Sequence, residues 1–426
     1  MSTLSKDSGN QDLLNESNWI PSGDISVGIV GQGIVGAMTA RIVSAAGIPV
    51  VGYDRDPNRI AELQGDAETE PNWTISPDIN ALVATDVIVV AVRVPANAEG
   101  PDLTSIKQVC DAIAGFSKRN RLVILETTLP PGATRQLADN HLNVDLNSHL
   151  QLAYCPERLR EGGEKSEILD TPRLVGGLTA AATHSACLFL SRVGVETVPV
   201  SKPEVAELSK LLENTFLTSG ISLMGEITRL SHAIGISATE VARAAATKPD
   251  GYFPFRPGPG IGGHCLINDL QLLSNASATR NIQSPLIEAL SNSCRQLSPS
   301  VIDFLENMMA RKGQTLSGSR VWVIGVGFKV GSASTSSTPA TEIIRRLRAK
   351  GTCVVYSDSM VDSFEVDQIP VEKIESGTWP NDISAALLLA GDRCIDLLKL
   401  RERIPVVVDA GGAAIMPGSS DGITQL

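Results

Sequence analysis

A chain of 426 residues with 42% apolar and 19% charged side chains has the composition of a soluble globular protein, long enough for two or three domains. Its formal net charge of −11 argues against non-specific binding to nucleic acid or to an anionic membrane surface. The seven cysteines are scattered and include no C-x-x-C pair, so neither a disulfide framework nor a zinc site is indicated, and a reducing, cytoplasmic compartment is expected.

Residues 1–23 read as a flexible polar tail without a signal pattern, and nowhere do ~18 apolar residues run together as a membrane helix needs. Structure begins with the apolar run from Ile25 to Val30, a buried strand ending in Gly31-Gln-Gly33-Ile34-Val35-Gly36. A helical stretch follows to Ala46, then a second strand from Pro49 to Tyr53, closed by Asp54. This is a strand–turn–helix–strand–acid unit. Gly31 makes the turn, Gly33 lets a pyrophosphate approach the backbone, and Gly36 lets the helix pack on the strand. Asp54 is placed to accept from a ribose 2′-hydroxyl, which favours NAD; Arg55 beside it keeps NADP as the competitor. A glycine triplet alone is weak evidence, but here every neighbouring element agrees.

The α/β rhythm continues with strands predicted at 86–92, 122–128 and 150–154 and a helix from Leu103 to Phe116. Alternation of this kind predicts a parallel sheet with ligands beyond the strand C-termini. Arg93, Thr128 and Glu157 follow strand ends and are candidates for that crevice, although each alone reads more readily as a capping or solvated loop residue. Residues 203–236 form a long apolar-periodic helix that places Lys210 and Asn214 on one face. Its apolar positions are too many for one buried side, which predicts an interface as well as a core.

Arg256-Pro-Gly-Pro-Gly-Ile-Gly262-Gly-His264-Cys265 packs four glycines and two prolines ahead of one cysteine. Such a shaped loop lets backbone approach a ligand and ends in a thiol, a nucleophile when a cation or base is near. By itself the stretch reads equally as a turn before an inert, buried cysteine. A helix over 285–312 and a polar joint over 312–319 lead to a second α/β start. There Arg320 to Gly327 is a strand and glycine turn, 339–350 a helix, and 352–358 a strand ending in Asp358; further strands are predicted at 385–390 and 405–409. The expected organisation is α/β: two Rossmann-like parallel-sheet domains, 24–200 for NAD and 313–426 for substrate, joined by a helical central domain over 201–312.

The ordered motifs resemble the nucleotide-sugar 6-dehydrogenases, the family of the UDP-glucose, GDP-mannose and UDP-N-acetylmannosamine dehydrogenases. The motifs are Gly31–Gly36 with Asp54, Glu126-Thr-Thr128-Leu-Pro, Tyr154-Cys-Pro-Glu157-Arg158, Glu207-x-x-Lys210-x-x-x-Asn214, Pro257 to Cys265 with Asp269, and Gly325-x-Gly-x-Lys329. They run from about Ile25 to Asp409, and the Gly-Gly-His-Cys spelling resembles the N-acetylhexosamine branch.

The resemblance implies a four-electron oxidation of a sugar C6 hydroxyl to a carboxylate with two NAD per turnover, through a thiohemiacetal and a thioester on Cys265. It implies an electrostatic role for Lys210, orientation of hydroxyl or oxyanion by Asn214, water or proton handling by Asp269, and hydrolytic acid/base work by Glu157 with Thr128. Cofactor contacts fall on Gly31, Gly33, Ile34, Val35, Gly36, Asp54, Arg55, Val94 and Thr128. Substrate contacts fall on Tyr154, Glu157, Arg158, Leu159, Arg160, Lys210, Asn214, Arg256, Gly262 and Lys329. The implied partners are a nucleotide sugar, UDP-linked, and a second copy of the chain across the long helix.

The sequence departs from the family's pattern beyond Lys329. An acidic–x–Arg–x–Ser–Pro segment is replaced by Ser332-Ala-Ser-Thr-Ser-Ser-Thr338-Pro339, Asp409 is followed by Ala and Gly, and a family Thr-Pro reads Val94-Pro95. These changes predict altered ligand engagement around an intact catalytic set. The competing readings are a catalytically weak nucleotide-sugar-binding homologue and a two-electron β-hydroxyacid dehydrogenase.

Overall fold

The computed structural model describes residues 24–70, 72–116, 119–144, 149–158, 170–375, 377–390, 395–411 and 424–425. The chain divides into two compact units, one of residues 1–213 with 278–280 and one of residues 214–277 with 281–426.

The first unit is built on eight strands: β1 (Val27–Val30), β2 (Val50–Tyr53), β3 (Trp73–Ser76), β4 (Val87–Val90), β5 (Arg121–Leu125), β6 (Leu150–Tyr154), β7 (Arg173–Gly177) and β8 (Thr197–Pro199). They lie in the order β8-β7-β6-β5-β4-β1-β2-β3. The 3-2-1-4-5-6 half of that order is the doubly wound arrangement of dinucleotide-binding folds. All pairs are parallel except β6 with β7. Strands β1, β4 and β5 are buried along their whole length, as a sheet covered on both faces requires. Helices α1 (Ile34–Ala45), α2 (Pro57–Thr69), α3 (Thr104–Ala114), α4 (Ala133–Leu137) and α5 (Ala180–Arg192) accompany them. The Asp56 carboxylate caps α2 by accepting from Asn58 N–H, with Pro57 at the first helical position.

Helix α6 (Pro203–Ile234) is 32 residues long and runs from one unit into the other. The second unit continues with α7 (Ala238–Ala245), α8 (Cys265–Ala278) and α9 (Pro285–Ala310), the last carrying Pro299 inside it. Its sheet has β9 (Arg320–Ile324), β10 (Cys353–Ser357), β11 (Glu372–Lys373), β12 (Ala385–Leu388), β13 (Val406–Asp409) and β14 (Thr424–Gln425). The order β11-β10-β9-β12-β13-β14 repeats the doubly wound pattern with every pair parallel. Val321 and Val323 of β9 join one apolar cluster, and Trp322 and Ile324 join another. The sheet is therefore packed on both faces. Helices α10 (Pro339–Ala349) and α11 (Leu397–Arg403) complete the unit.

The α/β architecture with a long central helix is as expected, and the structure adds one segment to the sequence reading and corrects two points of it. The segment 173–199 was not anticipated as strand–helix–strand, and β7 runs antiparallel to β6. Cys265 is not the end of a loop but the first residue of a helix.

Candidate active site

The candidate cofactor cradle sits where the strand order reverses, between β1 and β4. Gly31 takes φ +86°, and an added Cβ would lie 2.7 Å from Ala91 O. At Gly36 a Cβ would lie 1.8 Å from Gly31 O, so α1 packs this tightly only over glycine. At Gly33 a Cβ meets nothing within 4 Å, and Gly33 and Ile34 are exposed while Val35 is half-buried. This is open space in front of the start of α1, the side on which a helix N-terminus holds a phosphate. Asp54 follows β2 and accepts from Gln32 N–H at 2.7 Å and Asp56 N–H at 2.9 Å. An ionised carboxylate has about four acceptor sites, so capacity for ribose hydroxyls remains. The residues present fit a dinucleotide.

Two further features of this cradle escaped the sequence reading. Arg59 Nε donates to Gln32 O at 2.7 Å, bringing a guanidinium to the glycine turn. The Gln32 side chain is fully buried against Gly52. Arg55 is exposed, with Nη1 3.4 Å from Ser105 Oγ, and Val94 is buried.

Further along the same sheet edge, the Glu126-Thr-Thr motif is rooted in the interior. Glu126 and Arg173 form a buried ion pair at 3.2 Å, and Thr39 Oγ1 donates to Glu126 at 2.9 Å. Thr127 donates to Val92 O at 2.9 Å, which leaves half-buried Thr128 as the outward residue of the motif. The loop after it is pinned by Glu207 of α6, fully buried. Glu207 accepts from Gly132 N–H at 2.6 Å, Thr134 N–H at 2.8 Å and Thr134 Oγ1 at 2.6 Å. Burial pushes this carboxyl up, and the three donors oppose the shift.

Tyr154 has no exposed surface, whereas Glu157 and Arg158 are half-buried just beyond β6. Arg158, expected at the substrate, engages Glu213 through Nε at 3.1 Å and Nη2 at 2.7 Å, and Pro172 O through Nη1 at 2.6 Å. Those contacts fix where the chain leaves β6. Leu159 and Arg160 lie outside the described residues. Lys210 is buried on α6, one turn before Asn214.

In the second unit, Asn214 Nδ2 donates to Asp269 Oδ2 at 2.6 Å, with both side chains buried. Asp269 lies one helical turn after Cys265 on α8, and Cys265 is exposed at the start of that helix. The positive end of a helix favours an anionic sulfur there. The preceding loop is shaped by close approach. A Cβ at Gly262 would lie 2.8 Å from Phe328 O, and one at Gly260, φ +152°, would lie 3.0 Å from Ser298 Oγ and 3.1 Å from Pro339 Cβ. Ser298 Oγ donates to Pro259 O at 2.9 Å. Arg256 is exposed, and half-buried Lys329 follows Phe328, its Nζ 5.3 Å from that ring. The second glycine turn repeats the logic of the first: Asp358, just after β10, accepts from Val326 N–H at 2.8 Å and Gly327 N–H at 3.0 Å. Among the described residues, no helix is long and apolar enough to cross a membrane.

Comparison with known proteins identifies the family and the fold. Residues 25–189 match the profile of the NAD binding domain of the UDP-glucose/GDP-mannose dehydrogenase family, and residues 204–295 that of its central domain. UDP-N-acetyl-D-mannosamine dehydrogenase of Methanococcus maripaludis is 24% identical over 367 residues, 82% of this chain and 83% of that protein. UDP-N-acetyl-D-glucosamine 6-dehydrogenase of Salmonella typhi is 25% identical over 377 residues, 84% of this chain and 88% of that protein. The structure of UDP-D-ManNAc dehydrogenase from Pyrococcus horikoshii superposes with a TM-score of 0.81 at 22% identity, covering 94% of this chain and 99% of that one, and shows the same fold. The chain belongs to the UDP-glucose/GDP-mannose dehydrogenase family, NAD-dependent oxidoreductases of nucleotide sugars.

Proposed function

We propose that the protein oxidises the C6 hydroxyl of a nucleotide-linked hexose or N-acetylhexosamine, UDP-linked, to the uronic acid, and does so in two oxidations with Cys265 as nucleophile. The observation that carries this reading is the exposed thiol at the start of α8 with Asp269 one turn further on, held by Asn214. NAD, when bound along Gly31–Gly36 and Asp54, is the acceptor of the two electrons released at each oxidation.

The chain's own residues do the rest. The Cys265 thiolate adds to the aldehyde carbonyl and forms a C–S bond, and the carbonyl oxygen takes up a proton as the thiohemiacetal. Oxidation at that carbon gives the thioester, and water then splits the C–S bond, releasing the acid and the thiol. Lys210 places positive charge beside developing alkoxide and thiolate. Asn214 orients the reacting oxygen, and Asp269 holds water or a proton one turn from the sulfur. Glu157 with Thr128 serves the hydrolytic step, and Arg256, Gly262 and Lys329 contact the nucleotide sugar. We assign residues 24–200 to cofactor, 201–312 to the centre and 313–426 to substrate. A homodimer through the apolar outer face of α6 and a cytoplasmic location complete the proposal.

The test is a screen of UDP-, GDP- and dTDP-linked hexoses and N-acetylhexosamines with NAD and with NADP. Two NADH per sugar and an acid product are expected, with acid formation abolished by Cys265→Ser. One NADH per substrate, or acid formation surviving Cys265→Ser, overturns the mechanism.

A further inference from the structure

Segment 332–338 is one of the places where the sequence departs from the family's pattern, and in the structure it meets the loop before Cys265. The first backbone bond of α8 runs from Asn268 N–H to His264 O at 3.0 Å, so His264 is the residue from which the helix starts. Its ring lies against the serine-rich segment. Ser336 Oγ hydrogen-bonds to His264 Nε2, and Ser337 Oγ lies 2.9 Å from Nδ1. Both ring nitrogens are met by hydroxyls, which donate or accept as the tautomer requires. Ser337 reaches the ring from φ +50°, a left-handed conformation that a residue with a Cβ adopts at a cost. The loop also orders itself, with Ser332 Oγ accepting from Ser334 N–H at 3.1 Å. The residues that flank the segment, Phe328 and Pro339, pack closely on the run before His264 at Gly262, and Pro339 does so at Gly260. The run up to Cys265 is thus met twice, by Phe328 and Pro339 at the glycines and by the Ser336 and Ser337 side chains at the histidine.

We propose that His264 is a positioning residue for Cys265, and that the Ser336–Ser337 hydroxyl pair, acting through His264, fixes the first turn of α8 and the aim of the thiolate. The amides of a helix N-terminus stabilise an anion only while that turn is formed. A histidine anchored by its ring to a separate loop holds the turn closed when a substrate enters. The inference rests on Cys265 being the nucleophile.

The test compares the wild type with Ser336→Ala/Ser337→Gly. Glycine accepts the positive φ while removing the hydroxyl, so the loop keeps its backbone. Alkylation by iodoacetamide at pH 7 is followed at Cys265 by peptide mass spectrometry, with exposed Cys353 as the internal reference. Cys265 should react about 3- to 5-fold more slowly, the scale of a lost helix-terminus interaction, with Cys353 unchanged. His264→Ala should give the same slowing, and the triple variant no more, because the three residues act as one unit. With the substrate found by the sugar screen, kcat should fall about tenfold or more while KM stays within about threefold, the sign of a misaimed reacting group. A wild-type rate at Cys265 in the double variant would mean that His264 only caps the helix, and additive effects would mean that the serines act elsewhere; either overturns the proposal. Alkylation needs no substrate, so a wrong sugar assignment leaves this test intact.

Discussion

Asn214 Nδ2 donates to Asp269 Oδ2 over 2.6 Å, tying α6 to the turn of α8 that follows Cys265. The two side chains are 8% and 2% exposed, so the bond is screened from water and its geometry is held by packing. Stability and chemistry separate at this pair. Asn214→Ala removes a donor from a buried carboxylate and should cost about 1.5–3 kcal/mol, read from urea unfolding. Asp269→Asn keeps an acceptor for Asn214 but removes the charge. It should retain most of the stability and lose about 10²- to 10⁴-fold in kcat for acid formation. Equal activity loss in both variants at equal stability would assign the pair a purely structural role.

The three fingerprint glycines should fail in two ways when each becomes alanine. Gly36 has a neighbouring carbonyl 1.8 Å from where a Cβ would sit, and Gly36→Ala should destabilise the fold by about 4 kcal/mol or more. Gly31, at φ +86°, should behave similarly. Gly33 faces open space, so Gly33→Ala should change stability by no more than about 0.5 kcal/mol. Its NAD affinity should nevertheless fall about tenfold, or about 1.4 kcal/mol, because the methyl occupies the ligand's place. Thermal melting paired with NADH fluorescence titration checks both quantities.

Two buried thiols set an alkaline limit on stability. Burial pushes Cys110 and Cys155 up from 9.0 to about 12. The native chain therefore keeps two protons that the unfolded chain releases first. The thiols contribute fully below pH 9, and the contribution is lost as pH rises towards 12. Unfolding free energy should fall about 1.4 kcal/mol per pH unit for each thiol in that window. Urea unfolding at several pH values above 9 should show a shallower slope in Cys110→Ala than in the wild type. Identical slopes would mean that the thiol titrates natively at its ordinary value.

What was legible in the sequence was local. Val27–Val30, Val87–Val90 and Leu122–Leu125 are short apolar runs because their sheet is covered on both faces, and the glycine turn and Asp54 follow at fixed spacing. The helix start at Cys265 was not legible, since Gly-Gly-His offers none of the usual capping side chains and the turn is held instead from segment 336–337. Arg158 entered as a substrate contact through the family resemblance; its ion pair with Glu213, 55 residues away in sequence, was not legible. The antiparallel placement of β7 and the pinning of Gly132 by Glu207 are likewise tertiary facts, chosen by packing rather than by any local pattern.

Helix α6 leaves large apolar side chains in solvent on one face: Leu208 at 48%, Leu212 at 64%, Phe216 at 52%, Leu223 at 59%, Leu230 at 58% and Ile234 at 62% exposed. Their spacings of four and seven residues follow the helical period, so they form a stripe and not a scatter. A stripe this long on a single helix is costly in water, and the proposed homodimer would cover it with the same face of a second copy. The protein should therefore sediment as a dimer at micromolar concentration. Leu212→Glu and Leu223→Glu, each placing a charge in the seam, should give monomers that keep the wild-type circular dichroism spectrum. A wild-type monomer, or dimers that survive both substitutions, would place the stripe outside the subunit interface.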